Sequence, residues 1–126
     1  EASVTFPTPA GGLVSTLDGV ARVLMLHPNR GNVADRQLIA PESLKAQYRP
    51  QPATGRNGYG LGFNILRTDA NGVGDRIRHT GASGTLALID FKQDLLVVML
   101  TQVPTKQTQP FGNRLMKAID SVFPNR

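Results

Sequence analysis

The chain has no cysteine and no tryptophan, and its 126 residues include only two histidines. The missing cysteines exclude disulfides, thiolate metal sites and a cysteine nucleophile, and fit either redox compartment. His27 and His79 are too far apart in the chain to suggest a zinc site, so neither a metal nor a cofactor is expected. No apolar run approaches the roughly 20 residues that a membrane-crossing helix needs, and no signal-peptide pattern is visible. Charged residues make up only 18% of the chain, with 14 basic against 9 acidic and a net charge of +5. The basic residues are scattered and no basic run is interleaved with aromatics, so nucleic acid is not an expected partner.

What remains describes a globular chain, read as a single domain over residues 1–126. Glycine (13) and proline (9) fall between periodic segments, where turns belong. After an irregular lead-in over Glu1–Gly12, Ser15-Thr16-Leu17-Asp18 looks like a capping box. Leu17, Val20, Ala21 and Leu24 follow at helical spacing, which predicts a helix from Thr16 to His27, stopped by Pro28-Asn29-Arg30-Gly31. Ala40-Pro41-Glu42 opens a shorter helix that Pro50 and Pro52 close. From Gly58 the period becomes two, with Tyr59, Leu61, Phe63 and Ile65 alternating with glycines, and we read a strand there. Further strands are expected over Arg76–Thr80, Thr85–Phe91 and Leu95–Thr101, the last so uniformly apolar that both its faces should be buried. A polar loop over Pro104–Pro110 then leads to a helix with Leu115, Ile119, Val122 and Phe123 on one face. The order predicts an α+β domain, an antiparallel sheet of about four strands flanked by helices.

Three constellations invite a chemical reading. Gly58-Tyr59-Gly60-Leu61-Gly62 has the glycines of a phosphate cradle, but they lie inside a strand pattern, not between a strand and a helix. Close backbone approach is the better reading. Gly81-Ala82-Ser83-Gly84-Thr85 nearly matches a nucleophile elbow, yet Thr85 stands where the second glycine belongs and a strand follows instead of a helix. Ser83 therefore reads as a turn serine. His79-Thr80-Gly81-Ala82 ends a strand with an imidazole, a hydroxyl and a glycine that lets a ligand lie along the edge, a combination able to move a proton or hold a carboxylate.

His79-Thr80-Gly81 resembles the third motif of the penicillin-recognising serine hydrolases: class C β-lactamases, D-alanyl-D-alanine peptidases and related esterases. Gly11-Gly12-Leu13-Val14-Ser15-Thr16, Tyr59-Gly60-Leu61-Gly62-Phe63 and the run from Gly84 to Gln102 are similar to other stretches of that family, in the same order. The resemblance covers about Pro9–Val103 and implies a partial β-lactamase/transpeptidase-like fold. It implies that His79, Thr80 and Gly81 line the site, orienting the substrate or its carboxylate, and that Ala82 lends its backbone N–H to the oxyanion hole. Histidine at position 79, in place of lysine, is the variant found among peptidase and esterase relatives.

The family's nucleophile motif, Ser-x-x-Lys, is missing. Ser3, Ser15, Ser43, Ser83 and Ser121 are followed three positions on by Phe6, Asp18, Ala46, Leu86 and Pro124. Nor is there a Tyr-x-Asn. We therefore expect the C-terminal portion of a hydrolase that acylates a serine on an amide, β-lactam or ester carbonyl, inactive as this chain alone. Its partners would be a small-molecule or peptidoglycan-like acyl substrate and the N-terminal portion of the same domain. The resemblance implies a periplasmic or exported location. The alternative is a non-catalytic interaction module that keeps the sheet and not the chemistry. The start at Glu1 without methionine suggests a processed or excised chain, and apolar sheet surface left open should make it self-associate.

Overall fold

The computed structural model describes residues 11–52 and 58–124. The lead-in expected over Glu1–Gly12 lies, as far as residue 10, outside the described residues. The first helix, α1, spans Leu17–Leu24. Its cap is Thr16, not Ser15: the Thr16 hydroxyl accepts from the Gly19 N–H at 3.1 Å. Asp18 pairs with Arg22 one turn on and does not close a capping box. The helix also stops short of His27. A proline ring collides with the carbonyl four residues back, which for Pro28 is that of Leu24, the last residue of α1. The chain continues instead in tight turns, with the His27 N–H on the Leu24 carbonyl at 3.0 Å. A small hairpin that the sequence did not announce follows, β1 (Asn32–Val33) against β2 (Arg36–Gln37). Helix α2, Pro41–Gln47, begins with proline in its first turn as expected.

Four strands then form one antiparallel meander in chain order: β3 (Asn64–Thr68), β4 (Gly74–Thr80), β5 (Leu86–Asp90) and β6 (Leu95–Met99). This α+β arrangement agrees with the sequence reading. The strand expected from Gly58 begins only at Asn64, because Gly58 (φ 73°) and Gly62 (φ 88°) take a left-handed backbone that no strand accommodates. The expectation of close approach holds at Gly60, whose Cα packs on the Gln47 carbonyl with no room for a Cβ. The last helix, α3, runs Thr105–Val122 and absorbs both Pro110 and most of the expected loop.

Strand alternation gives the sheet two unlike faces. Register places Ile77 beside Ile89, and His79 beside Ala87, on the face covered by α1 and α2. There Ile77 and Ile89 pack with Leu24, Leu44 and Tyr48 as the buried core. The opposite face, beneath α3, carries Arg76, Arg78 and Thr80 opposite Asp90, Leu88 and Leu86. A bulge in β3 brings Arg67 opposite Arg76. Asp90, 2% exposed, lies between the two guanidiniums, 2.7 Å from Arg67 and 3.5 Å from Arg76. Arg67 also holds Asp75, and Arg76 reaches Asp120 on α3 at 2.5 Å. Helix α3 has no buried residue, so directional bonds at both its ends do much of the holding.

Strand β6 departs from expectation. Its five residues are only half-buried, because it lies at the sheet's edge with β5 as its single strand neighbour.

Candidate active site

The six residues from His79 to Gly84 end β4 and make the turn into β5. The turn is closed by its own backbone: the Gly81 N–H donates to the Thr85 carbonyl and the Gly84 N–H to the Gly81 carbonyl, both at 3.0 Å. Glycine is required at two points. A side chain at 81 would collide with the Thr85 hydroxyl. Gly84 has φ 78°, and a Cβ there would meet the hydroxyls of Thr101 and Thr108. Thr101, just after β6, donates its hydroxyl to the Ser83 carbonyl at 2.5 Å. Thr105, the first residue of α3, donates its N–H to the Ala82 carbonyl at 3.0 Å. Its hydroxyl lies 2.8 Å from the Gly81 carbonyl and 3.0 Å from that of Ala82. The turn is thus tied to β6 and to the start of α3.

His79 is exposed at the strand end, with Nδ1 2.7 Å from the Gly62 carbonyl. A carbonyl only accepts, so Nδ1 carries a proton and donates it there, which leaves Nε2 for other contacts. The left-handed Gly62 is what turns that carbonyl toward the ring. Thr80 points to the other face, beside Arg78, into a groove of about 180 Å³ under α3. That is smaller than the roughly 300–1,000 Å³ of ordinary ligand sites. His79 and Thr80 are therefore adjacent in sequence but not joined on one surface. Ala82 is exposed, and its N–H donates to nothing among the described residues. Ser83 is an exposed turn residue followed by a strand, as read from the sequence.

A cleft of about 910 Å³ opens at the other end of the sheet and contains none of His79–Ala82. Its walls include a pair that sequence reasoning did not connect: His27 Nδ1 lies 2.5 Å from the Tyr48 hydroxyl, with the Phe63 ring edge-on to His27. Burial pushes His27 below its ordinary value and the Tyr48 phenol above its own. One residue follows α1 and the other follows α2, so no local motif could have announced the contact. Among the described residues, no three His, Cys, Asp or Glu side chains cluster to hold a metal, and no helix is long and apolar enough to cross a membrane.

An antiparallel sheet with helices packed against it defines an α+β domain. The sequence profile of the β-lactamase family matches residues 1–120, and the chain belongs to that family of serine hydrolases. The chain is also similar to a solved β-lactamase-like structure from Bacteroides dorei, with TM-score 0.64 and 19% identity. That match covers 92% of this chain and 43% of the other, so this chain spans less than half of its length. At this identity the likeness speaks for the fold. No curated protein matches the chain.

Proposed function

We propose that this chain forms one wall of a serine hydrolase active site, with the turn between β4 and β5 as its working element. A nucleophilic serine, its lysine and the tyrosine motif belong to a further portion of the same domain. The serine oxygen attacks an amide, β-lactam or ester carbonyl, and the resulting oxyanion is held by the Ala82 N–H and by the N–H of the nucleophile itself. Collapse expels the amine or alcohol, and water releases the acyl group. His79, on the Gly62 side of the strand end, orients the substrate through Nε2. Gly81 leaves the edge open, and Thr80 serves a substrate that crosses the rim. The observation that carries this reading is the Ala82 N–H, which has no acceptor among the described residues, in a turn whose Gly81, Ala82 and Ser83 carbonyls are all bonded.

The rest of the domain has a natural place beside β6. An edge strand reading Leu95-Leu96-Val97-Val98-Met99, without charge or proline, is the pattern of an interior strand. A strand from the nucleophile-bearing portion would complete it; in its absence, copies of this chain would pair there. A periplasmic or exported location suits this reading. The non-catalytic module remains the second reading, favoured by the missing Ser-x-x-Lys.

The test is ester hydrolysis by the longer protein that joins this chain to a Ser-x-x-Lys half. Ala82→Pro, which deletes the donor, should lower kcat by about 100- to 1,000-fold, and Ser83→Ala should leave it unchanged. Loss of turnover on Ser83→Ala would overturn the assignment, as would full turnover by Ala82→Pro.

A further inference from the structure

Thr105 sits on α3, more than twenty residues beyond the turn, and its side chain stays clear of the Ala82 N–H. Its hydroxyl is nevertheless aimed at the peptide group that bears that N–H. We propose that Thr105 is a positioning residue, which sets the direction of the Ala82 N–H by gripping the carbonyl at the other end of the same peptide plane. This rests on the reading of Ala82 as an oxyanion donor.

The peptide between Gly81 and Ala82 is trans and planar, so its C=O and N–H point in opposite directions. Wherever the Gly81 oxygen is held, the Ala82 hydrogen faces the other way. The oxygen is held from two sides, by the Gly84 N–H at 3.0 Å and by the Thr105 hydroxyl at 2.8 Å. The hydroxyl has one proton and two carbonyls in reach. Each carbonyl already has one backbone donor, and the shorter contact, 2.8 Å against 3.0 Å, assigns the hydroxyl proton to Gly81. That hydroxyl and the N–H that bonds the Ala82 carbonyl both come from the first residue of α3, whose backbone N–H has no partner within the helix. The helix start and the oxyanion donor are thus linked through a single residue.

This matters because side-chain bulk on either side of that bond does not resist rotation, which leaves hydrogen bonds to do so. Gly81 has no side chain, and Ala82 is exposed. A peptide flip would turn the N–H inward and put a carbonyl in the site. A hole with a flipped donor binds the ground state about as well but fails the tetrahedral intermediate. The grip from Thr105 opposes that flip without touching substrate, so its loss should fall on kcat and spare KM.

The experiment has two arms. In the isotope-labelled 126-residue chain, residual dipolar couplings report the orientation of the Ala82 N–H relative to β4 and β5. Thr105→Val keeps the shape and removes the hydroxyl, and should shrink the Ala82 coupling toward its averaged value while those of β4 and β5 hold. Thr105→Ser should restore it. An unchanged Ala82 coupling in Thr105→Val would overturn the proposal, as would a loss that serine does not rescue. In the longer hydrolase, Thr105→Val should lower kcat about fivefold with KM unchanged, again rescued by serine. If the coupling shifts and kcat does not, the grip stands and the oxyanion reading of Ala82 falls.

Discussion

The two faces of the sheet are built on different principles. Beneath α1 and α2, Ile77, Ile89, Leu24, Leu44 and Tyr48 close into a core in which the most exposed member is only 9% accessible. Beneath α3, the same strands present Arg76, Arg78 and Asp90 alongside the buried Leu86 and Leu88, and the Arg78 Nε is buried without a hydrogen-bond partner among the described residues. The first face is held by area removed from water and tolerates apolar side chains of similar volume. The second adds to the burial of Leu86 and Leu88 bonds that each require one partner: Arg76 to Asp120 near one end of α3, Thr105 to the turn at the other. The turn that carries the proposed chemistry is anchored from the directional side. Placement of one N–H depends on geometry, and hydrophobic burial, being non-directional, cannot supply it.

This contrast can be broken by mutation. Leu44, 2% exposed on the core face, should lose about 2–5 kcal/mol on truncation to alanine, read as a lower urea midpoint. A cost below about 1 kcal/mol would mean that α2 does not seal that face. On the other face, Asp90→Ala leaves two guanidiniums and two turn N–H groups without their shared acceptor. It should cost about 3 kcal/mol, and far less if water fills the space. Acidification gives a gentler effect. Burial lowers the folded His27 pKa from 6.5, so the unfolded chain takes up the proton first. Stability should therefore be flat above pH 7 and fall as pH drops through 6.5, and His27→Gln should flatten that fall in a urea series. The smallest effect is expected at Arg22→Ala. Its pair with Asp18 is well exposed, and the loss should stay within about 0.5 kcal/mol.

The elements of this architecture visible in the sequence are those fixed by local chemistry. Pro41 opens α2, the runs Arg76–Thr80 and Thr85–Phe91 mark β4 and β5, and the order of elements leads to the α+β class. Gly81 and Gly84 are legible as turn residues, although what crowds them, Thr85, Thr101 and Thr108, is not. The misread boundaries have separate causes. Pro28 ends α1 one turn earlier than apolar spacing suggests, through a clash with Leu24. Pro110 argues for a later start to α3, yet the tie between Thr105 and the turn fixes the helix start five residues before it. The apolar run of β6 predicts burial on both faces, but among the described residues β6 lies at the sheet's edge beside β5 alone, which leaves it half-buried. The His27–Tyr48 contact and the Arg67–Asp90–Arg76 cluster join distant segments, and no spacing rule reaches them.

The central claim is that this chain bears an oxyanion wall and not the nucleophile. It is tested most directly by intact mass after treatment with a serine-acylating penicillin or fluorophosphonate probe. The 126-residue chain should gain no adduct, and the longer protein should gain one that maps to a Ser-x-x-Lys serine. An adduct on Ser83 of the 126-residue chain would contradict the account.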